Sequence, residues 1–292
     1  MPVVETSNLQ KSFGDHRVLD GVDISVAEGT VFALLGPNGA GKTTVVNILS
    51  TLVRADGGSA SVAGHDVARE PVAVRAAISV TGQFSAVDAL LTGRENLTMM
   101  ARLSRVPRHE IGAVVEKALA RFDLVDAADR RSGSYSGGMA RRLDIAISML
   151  AMPRVLFLDE PTTGLDPRSR QGVWEFVREL VGEGVTVFLT TQYLEEADRL
   201  ADRIALLDGG RIVADDAPAA LKRLVGSDIV EATFADGRVA CYPTDGSLDD
   251  IKRTILGLED ATHVTVRNPS LDDVFLTLTG KSPKQVTGKV AA

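Results

Sequence analysis

Four largely apolar runs mark the first two thirds of the chain, at residues 31–35, 155–158, 185–190 and 204–207. They are nearly continuous rather than alternating, and turn or polar residues flank them. Runs of this length predict strands covered on both faces. Stretches of helical spacing lie between them, beginning with 42–49. Strand and helix in alternation predict an α/β domain around a mainly parallel sheet. The turn Asp208-Gly209-Gly210 leads from the fourth run into a further strand at 211–214. Residues 93–131 have helical spacing and no strand pattern, which predicts a helical insertion in the α/β body.

A smaller α+β unit is expected from residue 226. Residues 229–234 and 239–242 predict a hairpin around Asp236-Gly237. A helix at 247–256, a strand at 263–266 and a helix at 271–278 follow. The two helices start alike, Ser247-Leu248-Asp249-Asp250 and Ser270-Leu271-Asp272-Asp273. In each, the serine is placed to cap the helix and the aspartate three residues on to reach back. Two independent capping boxes and a duplicated βα unit both fit this pattern. The tail, 281–292, has little to bury and is expected to be flexible.

Composition narrows the function classes. At 292 residues and 45% hydrophobic, the chain can bury one large core, or one large and one small. A net charge of -7 disfavours nucleic acid held by phosphate neutralisation. One cysteine, Cys241, excludes an internal disulfide and a thiolate metal cluster, and it fits a reducing compartment. The most apolar stretch, 145–158, is interrupted by Pro153 and Arg154. It falls short of the ~20 apolar residues that a membrane-spanning helix needs. Residues 1–9 include Glu5 and Asn8 and lack the apolar core of a signal peptide. A cytosolic protein is expected, anchored by another polypeptide if it works at a membrane.

The chemistry begins after the first strand. Gly36-Pro37-Asn38-Gly39-Ala40-Gly41-Lys42-Thr43, continued by Thr44, fits the phosphate-loop pattern G-x-x-x-x-G-K-[ST]. Glycines let successive backbone N–H groups face a phosphate, and the helix amino terminus adds a favourable dipole. Lys42 is placed to put its ammonium between the β- and γ-phosphates of ATP, and the Thr43 hydroxyl to ligate Mg²⁺. The strand at 155–158 ends in Asp159-Glu160. Ligands sit at such strand ends in parallel sheets. Asp159 is expected to hold Mg²⁺, and Glu160 to act as general base on the attacking water.

Residues 135–143, Tyr-Ser-Gly-Gly-Met-Ala-Arg-Arg-Leu, narrow the class. This segment resembles the signature of ABC ATPases, whose common form begins Leu-Ser-Gly-Gly-Gln; Tyr135 and Met139 depart from it. Other motifs fall in family order over about residues 3–224. Gln83 lies where the family's Q-loop glutamine, a Mg²⁺ and nucleotide contact, is expected. Gly164-Leu165-Asp166-Pro167 resembles the D-loop, and Phe13 lies where an aromatic ring stacks on adenine. The resemblance implies a P-loop NTPase of ABC type at 1–225, a helical subdomain at about 84–150 and an accessory domain at 226–280. It also implies a homodimer in which Ser136, Gly137 and Gly138 of one copy close on the ATP of the other, with Asp166 coupling the two sites. Where the family has a histidine near the γ-phosphate, this chain has Gln192, which can donate to phosphate but cannot carry a proton.

Three strings resemble the daunorubicin/doxorubicin-resistance type of bacterial ABC exporter ATPase. They are residues 84–97, residues 190–198 (Thr-Thr-Gln-Tyr-Leu-Glu-Glu-Ala-Asp) and residues 269–275 (Pro-Ser-Leu-Asp-Asp-Val-Phe). The resemblance implies a subunit at the cytoplasmic face of the membrane, working with a separate permease to export drugs, antibiotics or lipids. Phe84, Val87, Leu90 and Leu91 offer an apolar groove for a permease helix. Two rivals stay open at this point. One is a soluble ABC-type ATPase acting on DNA or ribosomes, and the other an ATP-dependent regulator with little turnover.

Overall fold

The computed structural model describes residues 2–82, 86–258 and 260–279. The loop residues Gln83, Phe84 and Ser85 and the expected flexible tail at 281–292 lie outside the described residues. The chain forms two compact units, Met1–Ile212 and Val213–Ala292.

The first unit starts with two long strands, β1 (Pro2–Phe13) and β2 (His16–Ala27), before β3 (Val31–Leu35) and helix α1 (Lys42–Leu49). Then come β4 (Gly57–Val62), β5 (His65–Asp66), α2 (Pro71–Ala77) and β6 (Ile78–Thr81). Three helices follow: α3 (Gly93–Leu103), α4 (Ile111–Arg121) and α5 (Gly137–Met149). The unit continues through β7 (Val155–Asp159), α6 (Pro167–Gly182), β8 (Thr186–Thr191), α7 (Leu194–Leu200) and β9 (Arg203–Asp208), and ends in β10 (Arg211–Asp216), which crosses the division.

The expected parallel sheet is present in the order β10-β9-β3-β8-β7-β6. Strands β9, β3, β8, β7 and β6 pair in parallel. Every residue of β3, β7 and β8 is buried, as their continuous apolar runs require. Phe188 on β8 packs between Phe32 on β3 and Phe157 on β7, at 5.1 and 5.3 Å between ring centroids. Such pairs add about 0.5–1.5 kcal/mol each beyond their burial.

A second sheet, β2-β1-β4-β5, is antiparallel and was not marked by the apolar runs. Its strands show the other pattern. In β2, Val22, Ile24 and Val26 are buried while Asp23, Ser25 and Ala27 are exposed, so one face meets the core. The helical insertion expected at 93–131 is α3 with α4, and Thr92 and Glu95 close a capping box at its start. Among the described residues, no helix is long and apolar enough to cross a membrane.

The second unit comprises α8 (Pro218–Arg223), β11 (Asp228–Phe234), β12 (Val239–Thr244), α9 (Leu248–Leu256), β13 (Ala261–Arg267) and α10 (Leu271–Leu278). It opens ahead of residue 226, where the sequence reading places the join, because α8 buries Leu221 and packs on α10. The sheet order is β12-β11-β13, with the hairpin turning at Asp236-Gly237. The two similar helix starts differ in detail. Ser270 and Asp273 form a reciprocal capping box. Ser247 accepts from the Asp250 N–H, but the Asp250 carboxylate accepts from the N–H of Asp245 instead of reaching back to Ser247.

Arg267 clamps this unit. Its guanidinium holds both Asp273 oxygens, at 2.7 and 2.9 Å, and Glu231 at 3.0 Å. Burial alone would raise the Asp273 carboxyl. The hydrogen bonds from Arg267 and Ser270 outweigh it and hold the group at about 2, below its ordinary 3.8. A depressed folded value means stability that is full above the ordinary range and lost as pH falls toward 2. Amide-exchange protection of α10 in the full chain is therefore expected to fall across that window. Asp273→Asn should be weakly protected throughout with that acid step removed; an unchanged acid profile in the variant would assign the step to another group.

Candidate active site

Strand register builds the site. Leu35 at the end of β3 sits beside Thr191 at the end of β8, and Thr190 sits beside Asp159 at the end of β7. The three following segments, opening at Gly36, Gln192 and Glu160, therefore leave the carboxyl edge of the sheet side by side. Backbone bonds tie them together: Gly36 N–H donates to the Thr191 carbonyl (3.2 Å) and Glu160 N–H to that of Thr190 (3.0 Å). This edge is where parallel sheets take ligands.

Loop 36–41 turns sharply into α1. Gly41 is the N-cap with φ 108°, and a Cβ there would lie 2.7 Å from Leu19, so glycine is required. The helix start has no side-chain cap, which suits its first N–H groups to an anion. The Lys42 side chain is 5% exposed. Its ammonium donates to the carbonyls of Gly36 (2.8 Å) and Pro37 (3.1 Å) and lies 3.5 Å from Glu160 Oε1. The Thr43 hydroxyl donates to Asp159 Oδ2 at 3.1 Å, and Thr190 donates to Oδ1. Glu160 adopts φ 48°, sparsely populated for a residue with a side chain, and accepts from the Thr163 hydroxyl at 3.3 Å. Such backbone strain persists where surrounding bonds enforce it, and it clusters at functional sites.

The hard oxygens of Thr43 and Asp159 fit Mg²⁺, which keeps several waters and takes one or two protein ligands plus phosphate. No group of three or more His, Cys, Asp or Glu gathers for a metal among the described residues, and this mode of binding needs none.

The signature segment faces the same region. Ser136 caps α5 by accepting from Met139 N–H (3.3 Å), and Ser136 and Gly137 are exposed. A Cβ on Gly138 would meet Ser169 Oγ at 2.6 Å, so α5 approaches α6 closely only with glycine there. Tyr135, where leucine is usual, donates its hydroxyl to the Ala127 carbonyl (2.7 Å). Asp166 caps α6; the Ser169 hydroxyl, then the N–H groups of Ser169 and Arg168, hold its carboxyl below the ordinary value. Gly137, Arg141 and Asp144 line one cavity of about 480 Å³ together with Asp159 and Glu160.

Phe13 ends β1, is 52% exposed and carries the Lys11 ammonium 5.2 Å from its ring centre. It pairs with His16 on the hairpin whose Leu19 abuts Gly41. Gln192 is half-buried just beyond β8. Gln83 and Phe84 are outside the described residues; of the expected groove, Leu90 is exposed, and Val87 and Leu91 are half-buried.

Sequence reasoning missed two supports. Thr190 holds Asp159. Glu196, fully buried, accepts from Thr162 (2.8 Å) and Trp174 (3.1 Å), tying the segment after Glu160 to α7. Burial pushes the Glu196 carboxyl up against those bonds. The signal was a second acid in Glu195-Glu196, placed on the apolar side of a helix.

Residues 19–163 match the ABC transporter family. The chain is 52% identical to the daunorubicin resistance ATP-binding protein DrrA2 of Streptomyces coeruleorubidus, over 99% of this chain and 98% of that one. It is 36% identical to the Nod factor export ATP-binding protein I of Rhizobium sp. (strain N33), over 95% and 97%. A solved ATP-binding subunit of an ABC transporter superposes with a TM-score of 0.69 at 26% identity, covering 95% of this chain and 99% of that one. With its phosphate loop and acidic strand end brought together at one sheet edge and its signature turn opening α5, the chain belongs to the ATP-binding ATPases of the ABC transporter family.

Proposed function

We propose that this chain binds Mg-ATP on loop 36–44, hydrolyses it and thereby drives a separate membrane permease that exports drugs, antibiotics or lipids. The observation that carries this reading is the meeting of Lys42 with Glu160, and of Thr43 with Asp159, within 3.5 Å across the end of β8, which lies between β3 and β7. Backbone N–H groups of Gly39, Ala40, Gly41, Lys42, Thr43 and Thr44 cradle the phosphates, and Lys42 takes the β- and γ-oxygens. Thr43 and Asp159 hold Mg²⁺, with Gln83 as a further contact; the bound ion neutralises phosphate charge. Glu160 orients the attacking water and takes its proton. Phe13 offers adenine an exposed ring face.

The exposed Ser136-Gly137 helix start supports a second anion contact made in trans. In a head-to-tail pair, each Ser136, Gly137 and Gly138 reaches the nucleotide of its mate, and Asp166 links the two sites. The resistance and export roles in the relatives' names support an exporter at the cytoplasmic face. The net charge of -7 supports a partner other than nucleic acid. Mg²⁺-dependent phosphate release by the purified protein, and an integral membrane protein that co-purifies with it, test the two halves of this reading.

Gln192 takes the position of the family histidine. Its amide donates to the γ-phosphate without carrying charge. Gln192→Ala is expected to reduce kcat several-fold with Glu160 still in place. Unchanged turnover would make this position a bystander.

A further inference from the structure

Glu196 lies on α7 between the exposed Glu195 and the buried Ala197, and none of its own surface is exposed. One oxygen, Oε1, accepts from two directions, from the Thr162 hydroxyl at 2.8 Å and from the Trp174 indole N–H at 3.1 Å. The other, Oε2, is enclosed and accepts no hydrogen bond. Burial works against the charge of this carboxyl. Thr191, Thr162, Trp174 and the Arg170 guanidinium favour it, and Arg141 lies within the same electrostatic reach. Both arginines are held elsewhere, Arg141 on Asp144 at 3.0 Å and Arg170 over the Tyr193 ring at 5.1 Å. A buried carboxylate is costly unless hydrogen-bonded, and an apolar residue would pack α7 at least as well. What the carboxylate supplies is one acceptor for two donors on different segments.

Those donors belong to the turn that leads from Glu160 to α6 and to α6 itself. Thr162 is fully buried within the turn, and Trp174 lies two turns into the helix that Asp166 caps. Successive hydroxyls leave the turn in opposite directions. Thr162 goes inward to Glu196, while the exposed Thr163 donates to Glu160 Oε2 at 3.3 Å. Among the described residues, the other hydrogen bonds of 161–165 stay within the turn. They run from Thr163 N–H to the Glu160 carbonyl (3.3 Å) and from Leu165 N–H to the Thr162 carbonyl (3.2 Å). The bond from Thr162 to Glu196 is therefore the one that ties the middle of the turn to the protein behind it.

We propose that Thr162 and Glu196 are positioning residues for ATP hydrolysis, their bond holding the turn so that Thr163 aims the Glu160 carboxylate. This rests on the ATPase reading above and adds two residues to it.

The test compares Thr162→Val and Thr162→Ser in the full chain for kcat, KM for Mg-ATP, Trp174 emission and unfolding midpoint. Valine keeps the shape of threonine and loses the donor, whereas serine keeps the donor. Thr162→Val is expected to lower kcat about ten- to a hundredfold well below its unfolding midpoint, the scale of a small misplacement of a reacting group. KM should stay within about threefold, because Lys42 and Thr43 keep their bonds to Gly36, Pro37 and Asp159. Trp174, the only tryptophan in the chain, keeps its bond to Glu196, so its emission maximum should match the wild type. Thr162→Ser is expected to recover kcat to within about threefold of wild type, since the hydrogen bond remains. Wild-type kcat in Thr162→Val, or Thr162→Ser as slow as Thr162→Val, overturns the proposal. So does a loss of kcat that comes with shifted Trp174 emission or a matching rise in KM. If Thr162→Val does not fold, Thr162→Ala is read against Thr162→Ser by the same criteria. A wild-type protein without Mg²⁺-dependent turnover would instead overturn the ATPase reading, and this inference with it.

Discussion

Glu160→Gln is expected to lower ATP turnover by about a hundred- to ten-thousandfold while ATP still binds, because a positioned general base contributes about that much. The geometry makes Glu160 the group to lose. It follows a buried strand, its backbone is held at φ 48° by bonds to Thr190, and its two oxygens face Lys42 and Thr163. Glutamine keeps the size and an acceptor for Thr163 but cannot take a proton. It also removes the negative charge 3.5 Å from the Lys42 ammonium, so Lys42 is no longer shared between Glu160 and a phosphate. KM for ATP is therefore expected to stay level or fall while kcat collapses, the pattern of an interaction made in the transition state. Turnover is read as phosphate release. Sedimentation gives a second readout: with hydrolysis blocked and ATP saturating, the variant should run as a dimer, each Ser136 turn held on its mate's nucleotide. A kcat within tenfold of wild type would remove Glu160 from the chemistry, and a variant that stays monomeric would remove the shared site.

What was legible in the sequence was what chemistry or burial forces into consecutive residues. Loop 36–43 must place glycines, lysine and threonine in a fixed order, and β3, β7 and β8 must be apolar throughout because both faces are covered. The antiparallel sheet was harder. Strand β2 alternates cleanly from Val22 to Ala27, but β1 breaks period with register shifts at Thr6/Leu9 and Leu9/Gln10 and a left-handed Asn8. A pattern search with period two loses the strand at each shift. The similar helix starts showed a second limit. Identical Ser-Leu-Asp-Asp strings made a full capping box at Ser270 and a different arrangement at Ser247, where the Ser247 N–H donates to the Asp245 carboxylate and Asp250 accepts from the Asp245 N–H instead. Partners far along the chain were not legible at all. Nothing local to Asp144 points to Ala86, which it meets only once α5 packs beside β6, and nothing local to Thr190 points to Asp159, which it meets only once the sheet sets its register.

Lys42→Ala is expected to weaken ATP binding about ten- to a hundredfold, since hydrogen bonds to charged groups contribute about 1.5–3 kcal/mol. The ammonium has three protons. Two go to the Gly36 and Pro37 carbonyls, which fix its direction, and the third side faces Glu160. A γ-phosphate competes for that third side, so binding and the release of Glu160 toward water become one event. Alanine removes both. Arginine should not restore them, because a planar guanidinium is a different shape from the compact charge now enclosed at 5% exposure. Thermal unfolding with Mg-ATP gives the measurement. At a ligand concentration of about 100 Kd the wild type gains about 2.7 kcal/mol. A hundredfold weaker site at that same concentration gains only about 0.4 kcal/mol, so the upward shift in midpoint should nearly vanish. If the midpoint of Lys42→Ala climbs with Mg-ATP as far as the wild type does, the triphosphate is gripped somewhere other than the end of β3.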